Sequence, residues 1–81
     1  MSVTLTVDSG LVNYIQIQGF IRRQGEPDSE KEYYSNNIGA QIKINIKTKI
    51  VSFLNANGYV LGDGALVHSE HIDYFAKHGE L

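Results

Sequence analysis

Histidines are the side chains in this sequence best suited to metal or acid–base chemistry. His68 and His71 have the spacing of two residues on one face of a helix, and two imidazoles so placed can hold one metal ion. No further carboxylate or imidazole lies at a spacing diagnostic of a third ligand. A small His-dependent or metal-dependent enzyme is therefore the third-ranked hypothesis, and we expect exposed histidines, no bound metal and no cofactor.

Other catalytic patterns are weaker still. No serine lies in a Gly-x-Ser-x-Gly motif, and without cysteine the chain has no thiol nucleophile, disulfide or cysteine-ligated zinc. Four carboxylates cluster between positions 26 and 32, but a hydrophilic segment with the only proline offers no burial to separate their pKa values. We therefore expect the protein not to be an enzyme.

The same acidic segment suits protein binding. Residues 24–32 are predicted to form a mobile, solvated loop, and two tyrosines follow it directly. Complementary charge speeds association with a basic partner, and tyrosines are enriched at interfaces. The leading hypothesis is a small non-enzymatic protein-binding module, of inhibitor or adaptor type, that occupies the surface of another protein. The residues assigned to this contact are Glu26, Asp28, Glu30, Glu32, Tyr33 and Tyr34.

A cluster of basic residues supports an alternative, nucleic-acid binding. If residues 40–50 form one strand, its lysines share the outer face, beside two arginines that end the preceding strand. Basic side chains next to tyrosines suit single-stranded nucleic acid, but the formal net charge of −2 opposes polyanion binding overall. The residues of this alternative are Arg22, Arg23, Lys43, Lys47 and Lys49.

The first half of the chain is predicted to be strand. Residues 3–7 alternate between apolar and polar, and residues 11–23 form a long β-rich stretch. In that stretch Ile15, Ile17 and Ile21 are expected to face the core, and Gly19 to mark a bulge.

The second half is predicted to hold a strand, an ambiguous segment and a helix. Isoleucine alternation favours a strand over 40–50, while residues 49–57 fit either the end of a helix or a hairpin turn at 55–58. Residues 62–64 are predicted to be a turn. Ser69 is expected to cap a helix that ends at Gly79.

Together these elements predict an α+β fold in one domain, 1–81. We expect a small antiparallel sheet of three to four strands with one or two helices packed on one face. A thirteen-residue strand at a sheet edge would invite pairing, so a homodimer is a further prediction. No apolar run is long enough for a transmembrane helix and no signal peptide is evident, so we expect a cytoplasmic protein with no membrane contact.

Overall fold

The computed structural model describes residues 3–23 and 30–81, which form two helices and two antiparallel sheets. The elements are β1 (Thr4–Leu5), α1 (Leu11–Ile17), β2 (Ile21–Arg22), β3 (Lys31–Ser35), β4 (Gln41–Asn45), β5 (Ile50–Leu54), β6 (Val60–Gly64), β7 (Val67–His68) and α2 (Ser69–His78). The α+β class is confirmed, but the larger sheet has five strands in these residues instead of the expected three or four.

The five-stranded sheet has the order β2-β3-β4-β5-β6. Side chains alternate between its two faces, so Tyr34, Ile42 and Phe53, which lie opposite one another, share one face. That face packs against both helices, and we call it the covered face. Its centre is the α2 ring of Phe75, which stacks on Phe20 at 6.0 Å and meets Phe53 edge-on at 5.1 Å.

The prediction of a long strand over 11–23 is wrong for its first half, which is helix α1. Leu11 and Ile15 are fully buried, at the four-residue spacing of a helix, whereas Ile17 is 72% exposed. Gly19, expected to mark a bulge, instead ends the helix with φ 102°. The backbone N–H groups of Gly19 and Phe20 donate to Gln16 and Ile15, the bonds of a Schellman motif.

Ile21, also expected in the core, is 74% exposed in the two-residue strand β2. The chain turns at Gly19 and reverses the burial pattern, so the buried residue there is Phe20. The thirteen-residue strand that motivated the homodimer prediction therefore does not exist.

The strand predicted over 40–50 is confirmed for 41–45, where Ile42 and Ile44 are buried, but it does not continue. Residues 46–49 form a turn to β5, in which the Asn45 side chain accepts hydrogen bonds from the backbone of Lys47 and Thr48. Lys49 closes this turn with φ 63°. A positive φ interrupts the regular strand conformation, and both Lys47 and Lys49 are turn residues.

The ambiguity over 49–57 is resolved in favour of the hairpin. The Asn55 side chain accepts hydrogen bonds from the backbone of Asn57 and Tyr59, and Gly58 has φ 87°. The chain then enters β6, so residues 62–64, predicted as a turn, are strand.

The C-terminal helix is confirmed, with Gly79 in the left-handed conformation after it. Ser69 is its first residue and does not cap it: the Ser69 hydroxyl accepts a hydrogen bond from the Val3 backbone at 2.9 Å instead. Neither helix of the described residues has the length and apolar character that crossing a membrane requires.

Candidate binding surface on the open face of the sheet

The second face of the five-stranded sheet, here called the open face, carries a row of polar and aromatic side chains. Register places Tyr33 opposite Lys43, Lys43 opposite Ser52, and Ser52 opposite Asp63. Arg23 extends the row past Tyr33, because its backbone N–H donates to the Tyr33 carbonyl at 2.8 Å. One row thus crosses strands β3 to β6 and ends at Arg23, the residue after β2, with a tyrosine between two cations.

Apolar side chains flank this row on both sides. On one side Ile21, Leu54 and Val60 share the open face with Ser35 and Gln41. On the other side, Ile50 lies opposite Asn45, which lies opposite Lys31. None of the described residues outside the sheet forms a helix over this face, so its mixture of aromatic, aliphatic and basic groups is half-buried or exposed, and only Ser52 among those named is buried. Such a mixture is typical of protein interfaces.

The open face is cationic in a chain that is acidic overall. Among the described residues, Arg23, Lys31 and Lys43 lie on it with a single carboxylate, Asp63, whereas the whole chain has a formal net charge of −2. Lys43 makes no ion pair with any described residue, and the Arg23 guanidinium makes only a long hydrogen bond of 3.5 Å to the Gln41 side chain. The charges of Lys43 and Arg23 are therefore available to a partner.

Tyr34, assigned with Tyr33 to a protein contact, lies on the covered face and is 2% exposed. Its hydroxyl donates to the Glu32 carboxylate at 3.1 Å, and the same carboxylate forms an ion pair with Arg22 at 3.5 Å. Burial, and then the charge of Glu32, raise the pKa of Tyr34 to about 12. This arrangement stabilises the rim of the core and leaves the Tyr34 ring no access to another molecule.

Of the acidic residues assigned to the protein contact, two lie outside the described residues and two lie within them. Glu26 and Asp28 lie outside the described residues. Glu30 forms an ion pair with Lys47 at 3.8 Å, and its backbone carbonyl accepts from Ile46 at 2.7 Å. Residues 31 and 32, which the predicted mobile loop included, belong to strand β3.

The five basic residues of the nucleic-acid alternative do not share a surface. Arg23 and Lys43 lie on the open face, but Arg22 points to the covered side, where it pairs with Glu32. Lys47 and Lys49 lie in the β4–β5 turn, paired with Glu30 at 3.8 Å and with Asp8 at 3.1 Å. The expectation of one surface with five cations is therefore wrong, because it required an uninterrupted strand over 40–50.

The two candidate metal ligands are neighbours. His68 ends β7 and His71 lies in the first turn of α2, with their rings edge to face and their centroids 5.4 Å apart. Both side chains are exposed. In the described part of the chain, no group of three histidine, cysteine or carboxylate residues is placed to hold a metal ion.

Sequence reasoning missed two members of the open-face row, Ser52 and Asp63. Asp63 was assigned to a turn, and only the β5–β6 register brings it beside Ser52. The signal that could have located it was the turn chemistry at 55–58, since a hairpin there makes the next five residues a strand. No known family model, curated protein or solved structure matches this chain, so its function is inferred from its own residues.

Proposed function

We propose that this protein is a non-enzymatic protein-binding module that docks an acidic surface of another protein on the open face of its sheet. The observation that carries the proposal is the row Arg23–Tyr33–Lys43 on a sheet face that no described helix covers. The partner is thereby defined by its chemistry: an acidic surface with apolar groups at its margin.

The chemistry of the row supports this assignment. Tyrosine and arginine are the residue types most often found to dominate binding energy, since they combine apolar contact with directional hydrogen bonds. Cations on either side of Tyr33 attract carboxylates and raise the association rate, and the aliphatic residues Ile21, Ile50 and Leu54 can exclude water around them. Because strands hold the backbone of Tyr33 and Lys43 on a rigid support, little backbone entropy is lost on binding.

This proposal uses the predicted residue Tyr33 but reverses the sign of the expected charge contact. The sequence predicted an acidic loop meeting a basic patch, whereas the open face is basic and fits an acidic partner. The contribution of Glu26 and Asp28 stays a prediction, because they lie outside the described residues.

A charge reversal with a matched control tests the proposal. The probe is a synthetic peptide of alternating glutamate and leucine, titrated against the protein at low and at high salt. Lys43→Glu is expected to weaken binding at least about tenfold, equivalent to about 1.4 kcal/mol. Lys47→Glu makes the same change in net charge at the β4–β5 turn and should weaken binding less than about twofold. Equal weakening by both variants would show that only net charge matters and would refute the proposed surface.

Single-stranded nucleic acid is the second candidate for this face, because Tyr33 between two cations is a stacking platform for one base. The parallel titration uses oligothymidylate. Binding tighter than about 0.1 mM at physiological salt, abolished by Tyr33→Ala, would favour nucleic acid over the acidic peptide. A dissociation constant no tighter than about 1 mM at low salt removes this candidate.

A further inference from the structure

Two imidazoles lie next to each other where strand β7 meets helix α2. His68 ends β7 and His71 lies in the first turn of α2, so regular structure holds the backbone of both residues. Their ring centroids are 5.4 Å apart and their ring planes are at 88°. Both side chains are exposed, so an ion in solution can reach either ring.

The separation of the two rings matches the one that a shared metal ion requires. Metal–nitrogen bonds of about 2.0–2.1 Å, in line with each ring, place two imidazole centroids about 5.2 Å apart at the tetrahedral angle. At the right angle of a square-planar ion the separation is only about 4.5 Å. The observed 5.4 Å therefore fits a tetrahedral ion such as Zn²⁺ better than a square-planar one.

A hydrogen bond to His68 leaves the outer nitrogen of its ring available. Thr4 is paired with His68 between β1 and β7, and the Thr4 hydroxyl oxygen lies 3.4 Å from Nδ1 of the imidazole. When Nδ1–H donates to this hydroxyl, the lone pair of the ring is on Nε2. Histidines that bind metals are commonly oriented by such a hydrogen bond from their second ring nitrogen.

The charges around the two rings favour a cation. Glu70 lies in the same first turn of α2 and lines a cavity with His71, and Asp63 lines the adjoining cavity, which also includes His71. Neither carboxylate forms an ion pair with a described residue, and no described lysine or arginine lines either cavity. The positive end of α2 opposes a cation, and the negative charge of Glu70 offsets that effect.

We propose that His68 and His71 together bind one Zn²⁺ ion, each through one ring nitrogen, with water in the two remaining positions. The hydrated ion exchanges two of its waters for the two imidazoles. Because structural zinc sites have four protein ligands, a site with two open positions holds an ion that exchanges and does not support the fold. The sequence-based expectation of no bound metal rested on the missing third ligand, which such a site does not need.

Calorimetric titration of the purified chain with zinc chloride tests the site. The wild type is expected to bind one ion per chain with a dissociation constant tighter than about 1 mM. His68→Ala and His71→Ala should each weaken binding at least about tenfold, because either change leaves a single imidazole in place of a chelate. The double variant should be weaker than either single variant by no more than about twofold, since the two rings act as one unit.

His78→Ala is the matched control. It removes an exposed histidine from the other end of the same helix and should weaken binding less than about twofold. Nuclear magnetic resonance of the imidazole nitrogens identifies the ligands directly: the signals of His68 and His71 should shift together on addition of Zn²⁺, while those of His78 stay in place.

Two results would overturn the proposal. One is a wild-type dissociation constant for Zn²⁺ weaker than about 1 mM. The other is similar weakening by His68→Ala and His78→Ala, which would show adventitious binding to any exposed histidine. The site does not rest on the proposed function, because none of its residues belongs to the five-stranded sheet and the titration uses the purified protein alone.

Discussion

The covered and open faces of the five-stranded sheet come from the same strands, yet they differ in how their polar groups are satisfied. On the covered face Ile42, Ile44 and Val51 are at most 1% exposed, and the polar cluster of Tyr34, Glu32 and Arg22 is closed within the molecule. On the open face Lys43 makes no ion pair with a described residue, although it is adjacent in sequence to two of the most buried side chains.

Because of this difference, neighbouring residues of one strand contribute separately to the stability of the fold and to binding. Because side chains alternate, a substitution at one position tests the core and a substitution at the next tests the surface, with almost the same backbone environment. The neighbours Ile44 and Lys43, and the neighbours Tyr34 and Tyr33, are such pairs. Each variant on the covered face therefore has its control on the open face.

The largest effect is expected from Ile44→Ala. Ile44 is fully buried at the centre of the sheet, so truncation removes buried methyl groups and leaves a cavity, at a cost of about 3 kcal/mol in the free energy of unfolding. Lys43→Ala should change that free energy by less than about 0.5 kcal/mol. Urea denaturation of both variants provides the measurement. Similar losses from the two would mean that the open face is not a solvent-exposed surface.

The next largest effect is the alkaline response of Tyr34. Its pKa is raised from 10.0 to about 12, so its stabilisation is fully present below pH 10 and is lost as the pH rises through 12. A shift of this size corresponds to roughly 2–3 kcal/mol in the free energy of unfolding.

Tyr34→Phe removes this dependence. At neutral pH the variant should be less stable than wild type by about 1 kcal/mol, since it loses the hydrogen bond to Glu32. Near pH 12 the order should reverse, because only the wild type then has to ionise a buried phenol. Tyr33→Phe is the control for removing a hydroxyl from the open face of the same strand. A difference between Tyr34→Phe and wild type that stays constant with pH would contradict the assigned burial of Tyr34 and its partner.

The difference between the two faces could be predicted from the sequence where the alternation of apolar and polar residues agreed with the backbone conformation. Around Ile42 and Ile44 it did, because β-branched residues alternating with lysine and glutamine fit a half-buried strand. The end of that strand was missed because Asn45 begins a turn, in which its side chain accepts hydrogen bonds from the backbone of Lys47 and Thr48 and Lys49 then takes a positive φ. Nothing in the alternation itself marks that point.

Helix α1 shows the opposite failure. Ile15, Ile17 and Ile21 alternate like a strand, but Gly19 can end a helix as readily as it can mark a bulge. The decision comes from tertiary packing of Leu11, Ile15 and Phe20 into the core, which no local window contains. The candidate site was limited in the same way. Its residue types were identified, but assigning Arg23 and not Arg22 to the open face required the β2–β3 register.

The smallest effect on stability is expected from the hydrogen bond that links the two helices on the covered face. The Tyr14 hydroxyl of α1 donates to Asp73 of α2 at 2.6 Å, linking the two helices, and this hydrogen bond raises the pKa of Tyr14. Tyr14→Phe should therefore lower the free energy of unfolding by about 1 kcal/mol at neutral pH. Tyr74→Phe is the control on α2, because Tyr74 is half exposed. Among the described residues, the aromatic ring that its own ring contacts is that of His78. If Tyr14→Phe also weakens binding of the acidic peptide, the two faces are energetically coupled; unchanged binding would establish that the helices support the core while the open face acts independently.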